Sequence, residues 1–315
     1  MENFSKKAIV FGANGLVGSS VVSILNNSEK VQKVIPSTRK DVNLFSFSET
    51  NNFIKKEEPN LVVIAAAKVG GIYANNTYRS DFLLENLKIN MNILESLIEF
   101  PNCKIINLGS SCIYPLNAEN PIKEESIFDG KLEPTNSPYA VAKLAAIELG
   151  NSMRTQYGHK IINLMPTNLY GPNDNFSEKA SHVIPGMMRR MHKAKADNLP
   201  EFKIWGSGEP KREFLYVDDL SRAIEFLLDS DVDHEILNVG SGEEVRIIEL
   251  AEMLKNIIEF EGTIRKDETM PDGNPKKLID SSKLIEMGWK PKISLKEGLE
   301  KTYDWFNRNK DSLRV

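Results

Sequence analysis

Tyr139 and Lys143 stand four residues apart in the segment SPYAVAK, where the pattern predicts a helix, so they share one face. A free phenol, with a pKa of about 10, is a poor acid–base group at neutral pH. A neighbouring ammonium stabilises the phenolate and moves it toward the working range. Ser110, at the predicted strand end LGSSCIYP, can hold the same carbonyl oxygen that Tyr139 protonates. Together these groups make a hydride-transfer site for a ketone or an alcohol. A Tyr and a Lys at this spacing often recur as a core residue and a surface charge. Their weight comes from chain order, behind a glycine turn and a serine-rich strand end.

That glycine turn is Gly12-Ala-Asn-Gly15-Leu-Val-Gly18, with a strand pattern before it and an amphipathic helix after it. Glycines allow the tight turn and the close backbone approach, and the helix N-terminus offers N–H groups to a pyrophosphate. Gly12, Asn14, Gly15, Leu16, Val17 and Gly18 are therefore candidate dinucleotide contacts; the bland alternative is a βα turn without a ligand. No Lys-Ser or Lys-Thr follows, which excludes a P-loop. The second strand ends in IPSTRKDV, without the acidic residue that holds a ribose 2′-hydroxyl. Arg39 and Lys40 suit a 2′-phosphate and favour NADP(H), or else they are solvated loop charges; Asp41 is placed to approach the adenine ring.

The elements that must position these groups are short apolar runs at Ala8–Phe11, Val31–Ile35, Leu61–Ala65, Lys104–Leu108 and Lys160–Met165. They alternate with helical patterns at Leu16–Leu25, Phe82–Phe100 and Tyr139–Tyr157. Runs apolar on both faces and separated by helices predict an α/β fold, a Rossmann-type doubly wound parallel sheet. Residues 1–170 are expected to form the NADP-binding domain, with a strand returning to it near 236–239. Residues 171–315 are expected to form mainly a smaller α/β substrate lobe, with helices at Ile248–Phe260 and Leu295–Asn307 and a turn cluster at 271–277.

The 315 residues are 41% hydrophobic and 27% charged with a net charge of −4, giving no whole-chain reason to bind nucleic acid or acidic lipid. Cys103 and Cys112 are too few for a disulfide scaffold or a zinc knuckle, and no metal is expected. No apolar stretch approaches the roughly 20 residues of a membrane helix. The opening MENFSKKAIVFG reads as a first strand and not a signal peptide, so a cytoplasmic protein is expected.

The chain resembles the extended short-chain dehydrogenase/reductases, and within them the GDP-L-fucose synthase branch, which epimerises and reduces GDP-4-keto-6-deoxymannose. The matching segments are AAKVGGIYANNTY, LGSSCIYP, LEPTNSPYAVAK, MPTNLYGPNDNF, SHVIPGMMRR, IWGSGEPKREFLYVDDL and PDGNPKKLID. The resemblance implies that Ser110, Tyr139 and Lys143 are a reductase triad, and that Cys112 and His182 are the base and acid of epimerisation. A ketone at sugar carbon 4 acidifies the hydrogens on carbons 3 and 5, so one base and one acid suffice for both centres. It further implies that Pro166, Thr167, Asn168 and Leu169 border the nicotinamide and that Lys143 and His182 also reach the cofactor. Arg190, Trp205, Arg212 and Asp272 are implied to contact the GDP-sugar. On residue type alone Arg190 could be surface charge, Trp205 core and Asp272 a turn residue.

Two departures stand out: Phe11 replaces Thr or Ala, and Asn14 stands where some members have an Arg that contacts the cofactor phosphate. Neither removes a catalytic group. Three other readings share these motifs: a reductase of a GDP-4-keto-heptose or dideoxy sugar, an epimerase that returns its hydride, and a non-catalytic NADP-binding sensor. Members are usually homodimers that pair the helices near Phe82–Phe100 and Tyr139–Tyr157.

Overall fold

The computed structural model describes residues 6–178, 180–230, 236–269, 272 and 274–313. Residues 1–5 of the opening segment, and Pro271 and Gly273 of the turn cluster, lie outside the described residues. The first half alternates β1 (Lys7–Phe11), α1 (Leu16–Asn26), β2 (Lys33–Ser37), α2 (Phe47–Glu57), β3 (Leu61–Ile64), α3 (Ile72–Thr77), α4 (Arg79–Leu97), β4 (Lys104–Leu108), α5 (Ser137–Tyr157) and β5 (Ile161–Pro166). There follow β6 (Asn168–Tyr170), α6 (Val183–Ala196), β7 (Glu201–Trp205), β8 (Lys211–Tyr216), α7 (Val217–Leu227) and β9 (Ile236–Val239). The last are β10 (Glu244–Arg246), α8 (Ile247–Ile258), β11 (Thr263–Asp267), α9 (Ser282–Glu286) and α10 (Leu295–Asn309).

The main sheet has the order β2-β1-β3-β4-β5-β9, and every pairing is parallel. Strand order reverses between β1 and β3, so the crevice beyond their C-terminal ends is the switch point where such sheets bind ligands. Both faces are covered. On one, Val10, Val63, Ile106 and Leu164 pack with Leu25 of α1 and Ile224 of α7. On the other, Ile9, Ile64 and Ile105 pack with Ile93 of α4 and Met153 of α5. This double burial explains why the central strands are continuously apolar. A separate core joins Met188 of α6, Ile204 of β7, Leu254 of α8 and Phe306 of α10.

Several boundaries differ from the sequence reading. The second strand is Lys33–Ser37 and not Val31–Ile35, because its parallel register with β1 begins at Lys33 opposite Lys7. As an edge strand it is half-exposed and tolerates Pro36. The helix read from Phe82 begins at Arg79 and stops at Leu97. Helix α2 is not marked by an apolar stripe, because it is mostly polar and buries only Thr50 and Ile54, yet Ser46, three residues before Glu49, marks its start. The Ser46 hydroxyl accepts from the Glu49 N–H at 3.3 Å. Beyond α8 and α10, the chain after β5 also carries α6, α7, α9 and two small sheets, β10-β8-β6 and β11-β7.

The glycine turn is defined by two close approaches. Gly12 has φ of +84°, and a Cβ there would lie 2.7 Å from the Ala66 nitrogen. A Cβ on Gly18 would lie 2.1 Å from the Gly12 carbonyl oxygen, whereas one on Gly15 meets nothing nearer than 3.4 Å. Gly18→Ala is therefore expected to cost about 1–3 kcal/mol in chemical denaturation. Gly15→Ala is expected to cost less than about 1 kcal/mol, the difference between Gly and Ala at a helix N-cap.

Candidate active site

The N–H groups of Gly12 and Ala13 both donate to the Ser37 carbonyl, at 3.0 and 3.1 Å, so the glycine turn and the end of β2 move as one piece. Gly15 caps α1 without a side-chain bond, and the N–H groups of Leu16, Val17 and Gly18 meet no acceptor among the described residues. Three aligned donors beside space where only glycine fits match the pyrophosphate of a dinucleotide. Asn14 is exposed at the same mouth. Arg39 and Lys40 are exposed just past β2. Asp41 is occupied locally, its carboxylate accepting from the Thr38 N–H and hydroxyl at 2.8 and 2.7 Å. Those two bonds hold its pKa below the ordinary range.

Beyond β4, Gly109 leads into Ser110, whose hydroxyl accepts from the Cys112 N–H at 3.2 Å. Helix α5 begins beside it, with Pro138 in its first turn. Tyr139 hydrogen-bonds Ser110. The Lys143 Nζ lies 5.9 Å from the centre of the Tyr139 ring and donates to the Leu108 carbonyl at 2.7 Å. Lys143 is only 2% exposed, so the bland reading of a surface lysine fails. Burial pulls its pKa down from 10.5 to about 8.

The phenol departs from expectation. Burial, and then the nearby Cys112 sulfur, push the Tyr139 pKa up, and the Ser110 hydrogen bond only partly offsets them. In the free protein the surroundings outweigh Lys143, and Tyr139 is a neutral donor. That is the form needed to protonate a ketone oxygen.

Cys112 is part-exposed, and the Asn136 side-chain amide donates to its Sγ at 3.5 Å. Sequence reasoning missed Asn136, although it stands three residues before Tyr139 in the same motif. His182 is the N-cap of α6 and exposed, and crowding protein lowers its imidazole pKa by desolvation, as suits a group in a cleft wall. No hydrogen bond or ion pair joins His182 to Cys112 or Tyr139 among the described residues.

Thr167 donates through its N–H to the Val239 carbonyl at 3.1 Å and through its hydroxyl to the Glu213 carbonyl at 3.2 Å. The Asn168 amide reaches the same Glu213 oxygen at 2.9 Å. Pro166–Leu169 thus bridge β5 to β8, with Pro166 buried and Leu169 packed on the main core.

In the second lobe the Arg190 guanidinium lies 5.0 Å from the Trp205 ring centre. Trp205 is 54% exposed, an open aromatic plate rather than a core residue. The turn after it is held by Asp272, which accepts from the Ser207 N–H and hydroxyl at 2.9 and 2.7 Å. Arg212 is part-buried, its guanidinium donating to the Asn274 carbonyl; desolvation lowers its pKa, while Asp272 acts in the opposite direction. Arg190 and Trp205 are thus in contact and Asp272 holds the turn that follows them, while Arg212 is joined to none of the three by a hydrogen bond or ion pair among the described residues.

Lys143→Met is expected to abolish ketone reduction. The unfolded chain holds the Lys143 proton up to about pH 10.5 and the folded one only to about 8. Wild-type stability relative to Lys143→Met should therefore rise as pH goes from 8 to 10.5 and be flat below 8. Denaturation curves of both proteins across that range check it.

Residues 8–240 match the family described as NAD dependent epimerase/dehydratase. Over 309 residues, 98% of this chain and 95% of the other, the sequence is 48% identical to GDP-L-fucose synthase 1 of Arabidopsis thaliana. A GDP-L-fucose synthetase from Naegleria fowleri, crystallised with NADP, superposes with a TM-score of 0.90 at 29% identity, covering 98% of this chain and 96% of that one. A GDP-6-OMe-4-keto-L-xylo-heptose reductase from C. jejuni superposes at 0.87 with 30% identity, covering 98% and 99%. With a parallel sheet, a glycine turn at its switch point and a Ser-Tyr-Lys cluster beyond the end of β4, the chain belongs to the NAD dependent epimerase/dehydratase family, within the extended short-chain dehydrogenase/reductases.

Proposed function

We propose that the protein converts GDP-4-keto-6-deoxymannose to GDP-L-fucose with NADPH, inverting carbons 3 and 5 and then reducing carbon 4. The observation that carries this reading is the single cluster of Ser110, Cys112, Tyr139 and Lys143. It supports the reading because it sets a phenol that can donate to a ketone oxygen near a thiol that can serve as base. The nicotinamide, when bound, supplies the hydride for carbon 4. Leu16, Val17 and Gly18 would hold its pyrophosphate and Arg39 the 2′-phosphate, with Pro166–Leu169 beside its ring.

The chain's own residues do the proton work. Cys112 as thiolate removes the hydrogen on carbon 5 or 3, and the electron pair moves into an enolate whose oxygen the Ser110 and Tyr139 hydroxyls stabilise. His182 as imidazolium returns a proton to the opposite face, so each centre loses one proton and gains one. Tyr139 then gives its proton to the carbon-4 oxygen as the hydride arrives. Lys143, an ammonium below about pH 8, steadies the phenolate left behind.

In this reading residues 1–170 serve mainly NADPH and residues 171–315 mainly the GDP-sugar, with Arg212 on the diphosphate, Trp205 and Arg190 as a flat cationic wall, and Asp272 at the turn. Two chains pair through α4 and α5, where Leu84, Met91 and Val141 lie exposed. The setting proposed is the cytoplasm; no helix among the described residues is long and apolar enough to cross a membrane.

Incubation with NADPH and GDP-4-keto-6-deoxymannose in D₂O is expected to yield fucose-configured product, with deuterium at carbons 3 and 5 by NMR. Cys112→Ser should lose that deuterium while still reducing a pre-epimerised ketone. Faster turnover of the heptose homologue, without deuterium entry, is the result that favours the reductase-only reading. Arg39→Ala is expected to weaken NADPH about tenfold and NADH hardly at all, measured by nicotinamide fluorescence.

A further inference from the structure

The segment AAKVGGI carries none of the chemistry above, yet it runs between β3 and α3 directly against the chain that ends in His182. Its start is fixed to α4: buried Asn86 accepts from the Lys68 N–H at 2.9 Å and donates to the Lys68 carbonyl at 3.0 Å. Its end is fixed by buried Asn75, whose amide donates to the Gly70 and Gly71 carbonyls at 2.6 and 3.1 Å.

Between these anchors the Gly71 N–H donates to the Ala180 carbonyl at 3.0 Å. A Cβ on Gly71 would lie 2.4 Å from the Ser181 carbonyl oxygen. The φ of Gly71 is −67°, so only this approach, and no backbone strain, demands glycine. From the other side, a Cβ on Gly186 would lie 2.5 Å from the Ser181 hydroxyl. Ser181 is therefore clamped between two glycines, and His182 is the next residue. Beside the clamp, a Cβ on Gly70 would meet both Phe82 at 3.3 Å and the Ala180 oxygen at 3.5 Å, and the Phe82 ring sits edge-on to Tyr139.

We infer that Gly71 is a positioning residue that sets the reach of His182 toward the sugar, and so governs epimerisation separately from reduction. The inference rests on the proposed role of His182. Any side chain at 71 must push the Ser181 carbonyl back by more than half an ångström, and as backbone that carbonyl cannot rotate away as a side chain can. Displacements of about 1 Å at a reacting group cost on the order of a hundredfold.

The test reads deuterium entry at carbons 3 and 5 per NADPH oxidised, in D₂O, for wild type, His182→Gln, Gly71→Ala and Gly186→Ala. Gly71→Ala is expected to lower that ratio at least tenfold while its NADPH dissociation constant stays within twofold of wild type. Gly186→Ala, which meets only a rotatable hydroxyl, should stay within about threefold of wild type. A merely structural lesion would lower cofactor affinity and both reaction steps together. If Gly71→Ala fails to fold, Asn75→Ala loosens the same turn without a collision and is expected to lower the ratio severalfold. A wild-type ratio in the folded Gly71→Ala, or in Asn75→Ala if it is needed, overturns the inference. Undiminished deuterium entry in His182→Gln overturns instead the proposed role of His182.

Discussion

The buried hydrogen bond from the Lys143 ammonium to the Leu108 carbonyl is the constraint on which the site depends. An ammonium 2% exposed must be bonded or lose its charge. Its acceptor is the last residue of β4, two before Ser110. That bond ties α5 to the end of the central strand and fixes where Tyr139, one helical turn away, meets the Ser110 hydroxyl. Gly109 makes the junction tight, since a Cβ there would lie 2.3 Å from Met165. The depressed pKa of Lys143 is the cost of this arrangement.

The electrostatics of the cleft follow from the same burial. Desolvation raises the Tyr139 pKa and lowers those of Lys143 and His182, so each group is biased toward its neutral form. Neutral Tyr139 is ready to donate. A readily deprotonated imidazolium is a competent donor to a carbanionic centre. Away from the main sheet the charges are set differently, with the Arg190 guanidinium against the Trp205 ring and the Asp272 carboxylate opposing the desolvation of Arg212.

The two lobes share elements that hold them in register. Thr167 and Asn168 both bond the Glu213 carbonyl, while the Glu213 carboxylate accepts from the Gly242 and Ile279 N–H groups at 2.8 and 3.2 Å. Asn238 of β9 is held by Glu124 and by Tyr114, just after Cys112. The loops beyond the C-terminal ends of β4, β5 and β9 are thus braced from the main sheet.

What was legible in the sequence is what short-range pattern encodes. Continuous apolar runs marked the doubly covered strands, a glycine spacing marked the turn, and a four-residue interval put Tyr139 and Lys143 on one face. These depend on local geometry, which repeats wherever the same residues occur. Chain resemblance added the roles expected of Cys112, His182, Arg190, Trp205, Arg212 and Asp272. Tertiary structure alone decided the rest: the edge position that shifted β2, the Asn136 amide on the Cys112 sulfur, the approach of Gly71 to Ser181, and the upward bias of Tyr139. Each is set by atoms from parts of the chain tens to more than a hundred residues apart, or by how much water folding removes, and neither quantity is written in local spacing.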